Sequence, residues 1–235
     1  MYTFDSRIRY SEVDSEGNLT LNALLNYFQD VTTFHSEALE LGIDYMNENQ
    51  IIWVLVSWQI VVERMPKLGE WVSVGTLPYD FKGFMGFRNF IMTDENGNCL
   101  AKANTIWTLL DLQTEKPAAL TQKMIEGYAL EPRIDMEYAP RRIKVFDAMA
   151  AKEEIVIKKQ HLDTNKHVNN GQYVNMAMEY LPEDFEIGQM RAEYKKQARL
   201  EDILYPRVCE DHGKWIILFA NKEQEPYACI EFSGK

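Results

Sequence analysis

From His161 to Asn170 the chain reads His-Leu-Asp-Thr-Asn-Lys-His-Val-Asn-Asn, with a carboxylate, a carboxamide and an imidazole at alternate positions. Side chains at i, i+2 and i+4 of an extended segment share one face. Asp163, Asn165 and His167 are therefore expected to project together, with Thr164 and Lys166 pointing away. Asn169 and Asn170 are good helix N-cap types, and the apolar positions Tyr173, Val174, Ala177 and Tyr180 behind them recur at helical spacing. A helix N-terminus carries unpaired backbone N–H groups and the positive end of a dipole, which suit a developing oxyanion. Base, orienting amide and oxyanion donor would thus come from one short stretch. Taken singly, an Asp, Asn or His before a helix is usually a cap or turn residue. The alternation of all three is what points to chemistry.

The pattern occurs earlier in the chain without the histidine. Asp14-Ser15 matches Asp163-Thr164, and the offset (163 minus 14, or 149) places Asn18 against His167, Thr20 against Asn169 and Leu24 against Tyr173. Further on, Lys67-Leu68-Gly69-Glu70-Trp71-Val72 resembles Arg199-Leu200-Glu201-Asp202-Ile203-Leu204 at a shorter offset. Two matches in the same order imply two related halves, with the connection running from Gln113 to about Ala150. The expected organisation is an N-terminal half over 1–130, a linker over 131–150 and a C-terminal half over 151–235. Only the second half has a histidine at the key position, so one active site is expected there, with the first half contributing shape.

The net charge of −11 on 235 residues argues against generic nucleic-acid binding. Cys99, Cys209 and Cys229 are odd in number and lack CxxC spacing, so neither a disulfide framework nor a zinc site is expected. The four histidines form no metal-ligand spacing, and no metal or cofactor is expected. The start of the chain lacks a signal-peptide core, and the longest apolar run, Ile51 to Val56, is too short to span a bilayer. A reducing cytoplasm is the expected setting. Positive charge gathers around the motif, at Lys158, Lys159, Lys195, Lys196 and Arg199 among others, which suggests an anionic partner there.

The elements that must position the motif are legible in outline. Thr20 can cap a helix through Leu21, Leu24, Leu25, Phe28 and Val31, with Gly42 a plausible stop. Strand patterns follow at 51–62, 70–77, 84–93 and 100–112, with a hairpin signal at Asp94 to Asn98. The second half repeats the order: a strand over 153–159, a helix over 171–180, and strands near 189–196, 203–209, 215–221 and 227–232. One helix followed by a run of strands implies an α+β fold with a mostly antiparallel sheet.

Strand, loop, central helix and long antiparallel strands, duplicated in one chain, resemble a double hotdog protein: two fused hotdog units, each a long central helix wrapped by its sheet. The run from Asp163 through Asn165, His167, Val168, Asn169 and Asn170 to Tyr173 resembles the acyl-acyl carrier protein thioesterases, as does Gly97 through Trp107 to Leu112. That family commonly follows a Glu-Tyr and two basic residues with Glu-Cys. Glu193-Tyr194-Lys195-Lys196 matches, but Gln197 and Ala198 stand at the last two positions. The departure removes a cysteine nucleophile there, and Gln197 can orient water but cannot act as a base.

The resemblance implies hydrolysis of a fatty acyl thioester on acyl carrier protein, releasing free fatty acid. Asp163 would be the base for water or, alternatively, a direct nucleophile. Asn165 would fix the water or thioester, and His167 would hold the carboxylate or water and shuttle the proton. Backbone N–H groups near Asn170 and Gly171 would bind the oxyanion. Walls for the acyl chain are expected from Leu24, Leu25, Phe28, Trp53, Leu55 and Trp58. Lys158, Lys159, Lys195, Lys196 and Arg199 would dock the acidic carrier protein, on a monomer or homodimer. Alternatives are an acyl-CoA thioesterase of the same fold, a hotdog dehydratase, and a non-catalytic acyl-binding protein.

Overall fold

The computed structural model describes residues 1–163 and 165–235. The chain divides into two compact units, one formed by 1–56 and 60–138, the other by 57–59 and 139–235. Each is α+β.

In the first unit β1 (Tyr2–Arg7), β3 (Trp71–Lys82), β4 (Met85–Asp94) and β5 (Cys99–Asp111) pair antiparallel in that order. β2 (Ile51–Val62) lies next to β5, and its residues 57–59 are counted with the second unit. The helix α1 (Leu21–Ala38) packs against β1 and β3. It starts where the sequence places it, because the Thr20 hydroxyl accepts the Ala23 N–H at 3.2 Å. Leu24, Phe28 and Val31 on its inner face are fully buried, and burying a side chain of that size stabilises by about 1.5–3 kcal/mol.

Gly42 is not the stop. Glu40 takes the left-handed conformation (φ 54°), and the N–H groups of Glu40 and Leu41 close on the carbonyls of Glu37 and Ser36 at 3.0 and 2.9 Å. This double bond pattern satisfies carbonyls that the last helical turn leaves open. Gly42 instead precedes a short helix, α2 (Ile43–Glu48). Together with α3 (Gln122–Gly127) and β1, it is an element absent from the sequence reading.

In the second unit β8 (Ile187–Tyr194), β11 (Pro226–Gly234), β10 (Lys214–Ala220) and β9 (Ile203–Asp211) pair antiparallel in that order. The short strands β6 (Ala150–Ala151) and β7 (Ile155–Val156) both pair with β9. The strand expected over 153–159 is thus only two residues of β7, and a 3-10 turn at Lys159–His161 ends it. The Lys158 N–H points into the His161 ring (Nδ1, 3.1 Å) instead of a neighbouring strand. The helix α4 (Asn170–Met178), packed on β11, is half the length of α1 and so not the long helix expected. Pro182 shortly beyond it cannot continue a helix.

The stretch 131–150 is packed rather than free. The Glu131 N–H reaches Pro78 O in the first unit, and Tyr138 Oη donates to Asn89 Oδ1. In the second unit Ile143 and Met149 join a buried cluster with Ile216, Leu218 and Cys229.

The internal repeat extends to individual backbone bonds. The Ile8 N–H meets Glu70 O at 2.9 Å and Ile8 O accepts from Gly69 at 3.0 Å. Ile157, 149 residues later, makes the same two bonds with Asp202 and Glu201 at the same distances. Leu19 N donates to Pro66 O at 2.8 Å, and Val168 N to Ala198 O at 2.9 Å.

Candidate active site

The motif is a tight loop, not an extended segment. The Asp163 N–H donates to His167 O at 2.8 Å, and the Lys166 N–H to Asp163 O at 3.1 Å. Leu162 and Val168 pair as an isolated bridge beneath it. Lys166 supplies the left-handed residue (φ 62°) that Gly17 (φ 80°) supplies in the first unit. A side chain in that conformation costs roughly 1–2 kcal/mol. The expectation that Asp163, Asn165 and His167 share one face by alternation therefore fails, because the chain reverses direction between them. Thr164 lies outside the described residues.

Asp163 is half-buried and organises the loop. Its Oδ1 accepts the backbone N–H groups of Asn165 at 2.8 Å and His167 at 3.2 Å. It therefore meets His167 through the backbone, and Oδ2 takes no part in those bonds. The Asn165 side chain is exposed. The His167 ring is half-buried, and its Nδ1 is sealed from solvent with no hydrogen-bond partner among the described residues. Buried polar atoms are nearly always partnered, which sets this nitrogen apart among the described residues.

The oxyanion assignment needs one correction. The Gly171 N–H is already taken by the N-cap side chain, Asn169 Oδ1, at 2.8 Å. The Asn170 N–H has no acceptor among the described residues, while the Asn170 carbonyl accepts from Tyr194 Oη at 3.0 Å. Tyr173 anchors the other side, its Oη accepting the Ala198 N–H at 3.3 Å. Burial raises both phenol pKa values well above the ordinary one, so both stay protonated. These two tyrosines were missed as site residues because apolar periodicity registers their rings and not their hydroxyls.

Gln197 is exposed and immediately precedes Ala198, whose carbonyl accepts from Val168 in the motif. Glu193 is buried, ion-paired with Lys195, and its Oε2 accepts the Ile143 N–H at 3.3 Å. His161 is structural: its carbonyl accepts the Asn169 N–H at 2.9 Å, and its ring receives Lys158 N. Of the five cations flanking the motif all are exposed, but Lys195 and Lys196 already pair with Glu193 and Glu225. Lys158, Lys159 and Arg199 make no ion pair among the described residues.

Of the six expected chain-lining residues, Trp53 borders a small cavity in the first unit. Leu24, Leu25, Phe28 and Leu55 are spent on core packing, and Trp58 is counted with the second unit. Among the described residues no cluster of His, Cys, Asp and Glu could hold a metal ion, and no helix is long and apolar enough to cross a membrane.

Comparison with known proteins gives this fold and loop a class. Residues 1–128 match the acyl-ACP thioesterase N-terminal domain and residues 147–225 the acyl-ACP thioesterase C-terminal domain. The chain belongs to the acyl-ACP thioesterase family. It is 25% identical over 84% of its length to a chloroplastic acyl-acyl-carrier-protein hydrolase of Cuphea viscosissima. A chloroplastic palmitoyl-acyl carrier protein thioesterase of Gossypium hirsutum is 24% identical over the same share. The chain spans about half the length of these curated relatives, 51% and 52% respectively. An acyl-ACP thioesterase structure from Bacteroides thetaiotaomicron superposes with a TM-score of 0.91 at 25% identity, covering 99% of this chain and 97% of that one. The 12:0-ACP thioesterase of Umbellularia californica shares the fold (TM-score 0.88, 19% identity, 100% and 96% covered).

Proposed function

We propose that the chain is a thioester hydrolase that releases free fatty acid from acyl-acyl carrier protein, built as two fused hotdog units of which the second is catalytic. Family membership supports the reaction class. The observation that carries the assignment to the second unit is His167. Both units build the same loop, but only this copy has an imidazole there, with a buried ring nitrogen that has no partner among the described residues.

A thiolate leaves readily, because a thiol pKa is about 8.5. Hydrolysis then mainly needs an activated water and donors for the oxyanion. In this reading Asp163 keeps Oδ1 for the loop and uses Oδ2 as the base, taking a proton from water as its oxygen bonds to the acyl carbon. His167 holds that water, then takes the proton from Asp163 and gives it to the departing sulfur as the C–S bond breaks. Asn165 orients water or thioester, the Asn170 N–H donates to the oxyanion, and Gln197 assists through its amide. The unpaired cations Lys158, Lys159 and Arg199, with Lys195 and Lys196 beside them, would meet the carrier protein.

A thiol-release assay on matched acyl-carrier-protein and acyl-CoA series tests the reading. Faster turnover of the carrier-protein series is the expected result. Preference for CoA would move the chain to an acyl-CoA thioesterase, and no release from either would reduce it to an acyl-binding protein.

A further inference from the structure

Arg88 on β4 has only 6% of its surface exposed and borders the small cavity of the first unit, beside Trp53, Phe81, Phe87, Trp107 and Tyr128. Its Nη1 donates to His35 Nδ1 at 3.0 Å and to Thr76 Oγ1 at 3.3 Å, and its guanidinium lies 5.4 Å from the Tyr128 ring centre. Both acceptors are neutral: burial and the arginine itself hold the His35 pKa down at about 4. Among the described residues no carboxylate forms an ion pair with Arg88. The contrast with the other buried arginine is direct. Arg191, 8% exposed, meets Glu231 at 2.8 Å and also donates to the carbonyls of Pro140 and Arg142.

A buried guanidinium without a counter-charge is costly, and such charges are ordinarily paired. Trp53 borders the same cavity, and its Nε1 is buried without an acceptor among the described residues. Both donors belong to residues that line one aromatic-walled space, and among the described residues no carboxylate pairs with Arg88. Planar, forked donation by arginine matches a carboxylate. The cavity leaves about 40 Å³ for the centre of a water-sized sphere, more than the roughly 10–15 Å³ that one water needs on that measure, so it can admit a small polar group.

We propose that this cavity is a carboxylate subsite, in which Arg88 and Trp53 donate to the carboxylate of an aliphatic acid. The proposal rests on the thioester hydrolase reading above. The carboxylate has two possible sources: the free acid released by the reaction, or the far end of an acyl thioester that carries a terminal carboxyl group.

Calorimetric titration of the intact protein with hexanoate and with hexanamide separates charge from chain. Hexanoate is expected to bind at least tenfold tighter. Arg88→Met should abolish that preference, and Trp53→Phe, which removes one donor and keeps the ring, should weaken hexanoate about threefold or more. Circular dichroism checks that each variant folds. If Arg88→Met does not fold, Arg88→Lys and Trp53→Phe carry the test. Equal affinity for the two ligands overturns the proposal, as does an unchanged preference in the folded variants.

The source is read from turnover. Competitive inhibition by hexanoate assigns the subsite to product, and a higher kcat/KM for an adipoyl than a hexanoyl thioester assigns it to substrate. Loss of both effects in the Arg88 variant ties either to this residue. Hydrolysis of the plain hexanoyl thioester reports the proposed activity separately. A protein that hydrolyses but shows no carboxylate preference would lose the subsite and keep the function.

Discussion

Asp163 and Asp14 perform the same backbone task 149 residues apart. Each gives Oδ1 to the N–H groups two and four positions ahead, at 2.8 and 3.2 Å for Asp163 and at 2.9 Å twice for Asp14. Asp94 does likewise in the hairpin between β4 and β5, at 2.9 Å to Asn96 and Asn98. An aspartate here is therefore first a loop former, and any chemistry of Asp163 has to come from the oxygen left over.

That division makes Asp163→Asn informative. The asparagine carbonyl can accept both loop N–H groups, so the melting temperature should stay within about 3 °C of the parent, the shift that roughly 1 kcal/mol gives in a chain of this size. The proposed base is lost, and turnover should fall by about 10²–10⁴-fold. Asp163→Ala should lose both activity and stability, since it strands two amide donors. Near-parental turnover in Asp163→Asn would leave the residue with its structural role alone.

His167→Ala should cut turnover at least a hundredfold, the lower range for loss of a proton-transfer group, while Asn18→Ala at the matching place should leave it within about twofold. Paired steady-state kinetics on the two variants check this. Equal losses would contradict a single active unit.

Cysteine chemistry should play no part. Cys229 is buried and its thiol is pushed up to about 12, mainly by that burial, and burial also raises Cys99 and Cys209. At neutral pH too little thiolate exists to attack a thioester. Replacing all three should leave turnover within about twofold, and alkylation of the parent should not inactivate it. Gln197→Glu should be tolerated or raise activity, since the exposed side chain can carry charge without burial. Its thiol-release rate gives the answer.

His35 sets an acid limit on stability. Its folded pKa is about 4 against 6.5 for the free side chain, through burial and then Arg88. Below pH 6.5 the unfolded chain takes up a proton that the folded one refuses. This contribution is therefore complete above 6.5 and is lost as pH falls toward 4. Because the ring is only partly buried, about 1–2 kcal/mol is a discounted figure. His35→Gln should flatten the decline of melting temperature between pH 6.5 and 4; an unchanged slope would remove the histidine as its cause.

The sequence carried the long strands after β1, the first helix cap and the repeat, because alternation, Thr20 and matched turn residues are local signals. It also located the loop that holds Asp163 and His167. It misjudged that loop's shape, since a left-handed Lys166 leaves no mark when glycine is absent. β1 alternates buried-side and exposed residues from Tyr2 to Arg7, but its polar composition hid the pattern. The short second helix and the hydroxyl anchors Tyr173 and Tyr194 depend on tertiary partners, which periodicity cannot name. Trp53 stands out in the sequence as a candidate wall residue and Arg88 does not: a buried arginine looks like a surface one until the strands around it are placed.

The last prediction concerns the carrier protein. A strongly acidic partner approaching a chain of charge −11 needs a local cationic patch to be steered by. Lys158, Lys159 and Arg199 are exposed cations flanking the motif that form no ion pair among the described residues, whereas Lys196 meets Glu225 at 3.1 Å and Lys195 meets Glu193. Reversing Lys158 and Lys159 together should raise the Michaelis constant for acyl-carrier-protein by about tenfold or more, worth about 1.4 kcal/mol. Turnover at saturation should barely change, the pattern expected when only association is lost. Lys196→Glu should do less, because its charge is already partly neutralised. Added salt should erase the difference from the parent, as the Debye length falls from about 10 Å at 0.1 M to about 3 Å at 1 M. A small uncharged thioester should be hydrolysed equally by all variants. If that substrate suffers as much as the carrier-protein one, the lysines support the loop rather than the partner, and the docking assignment fails.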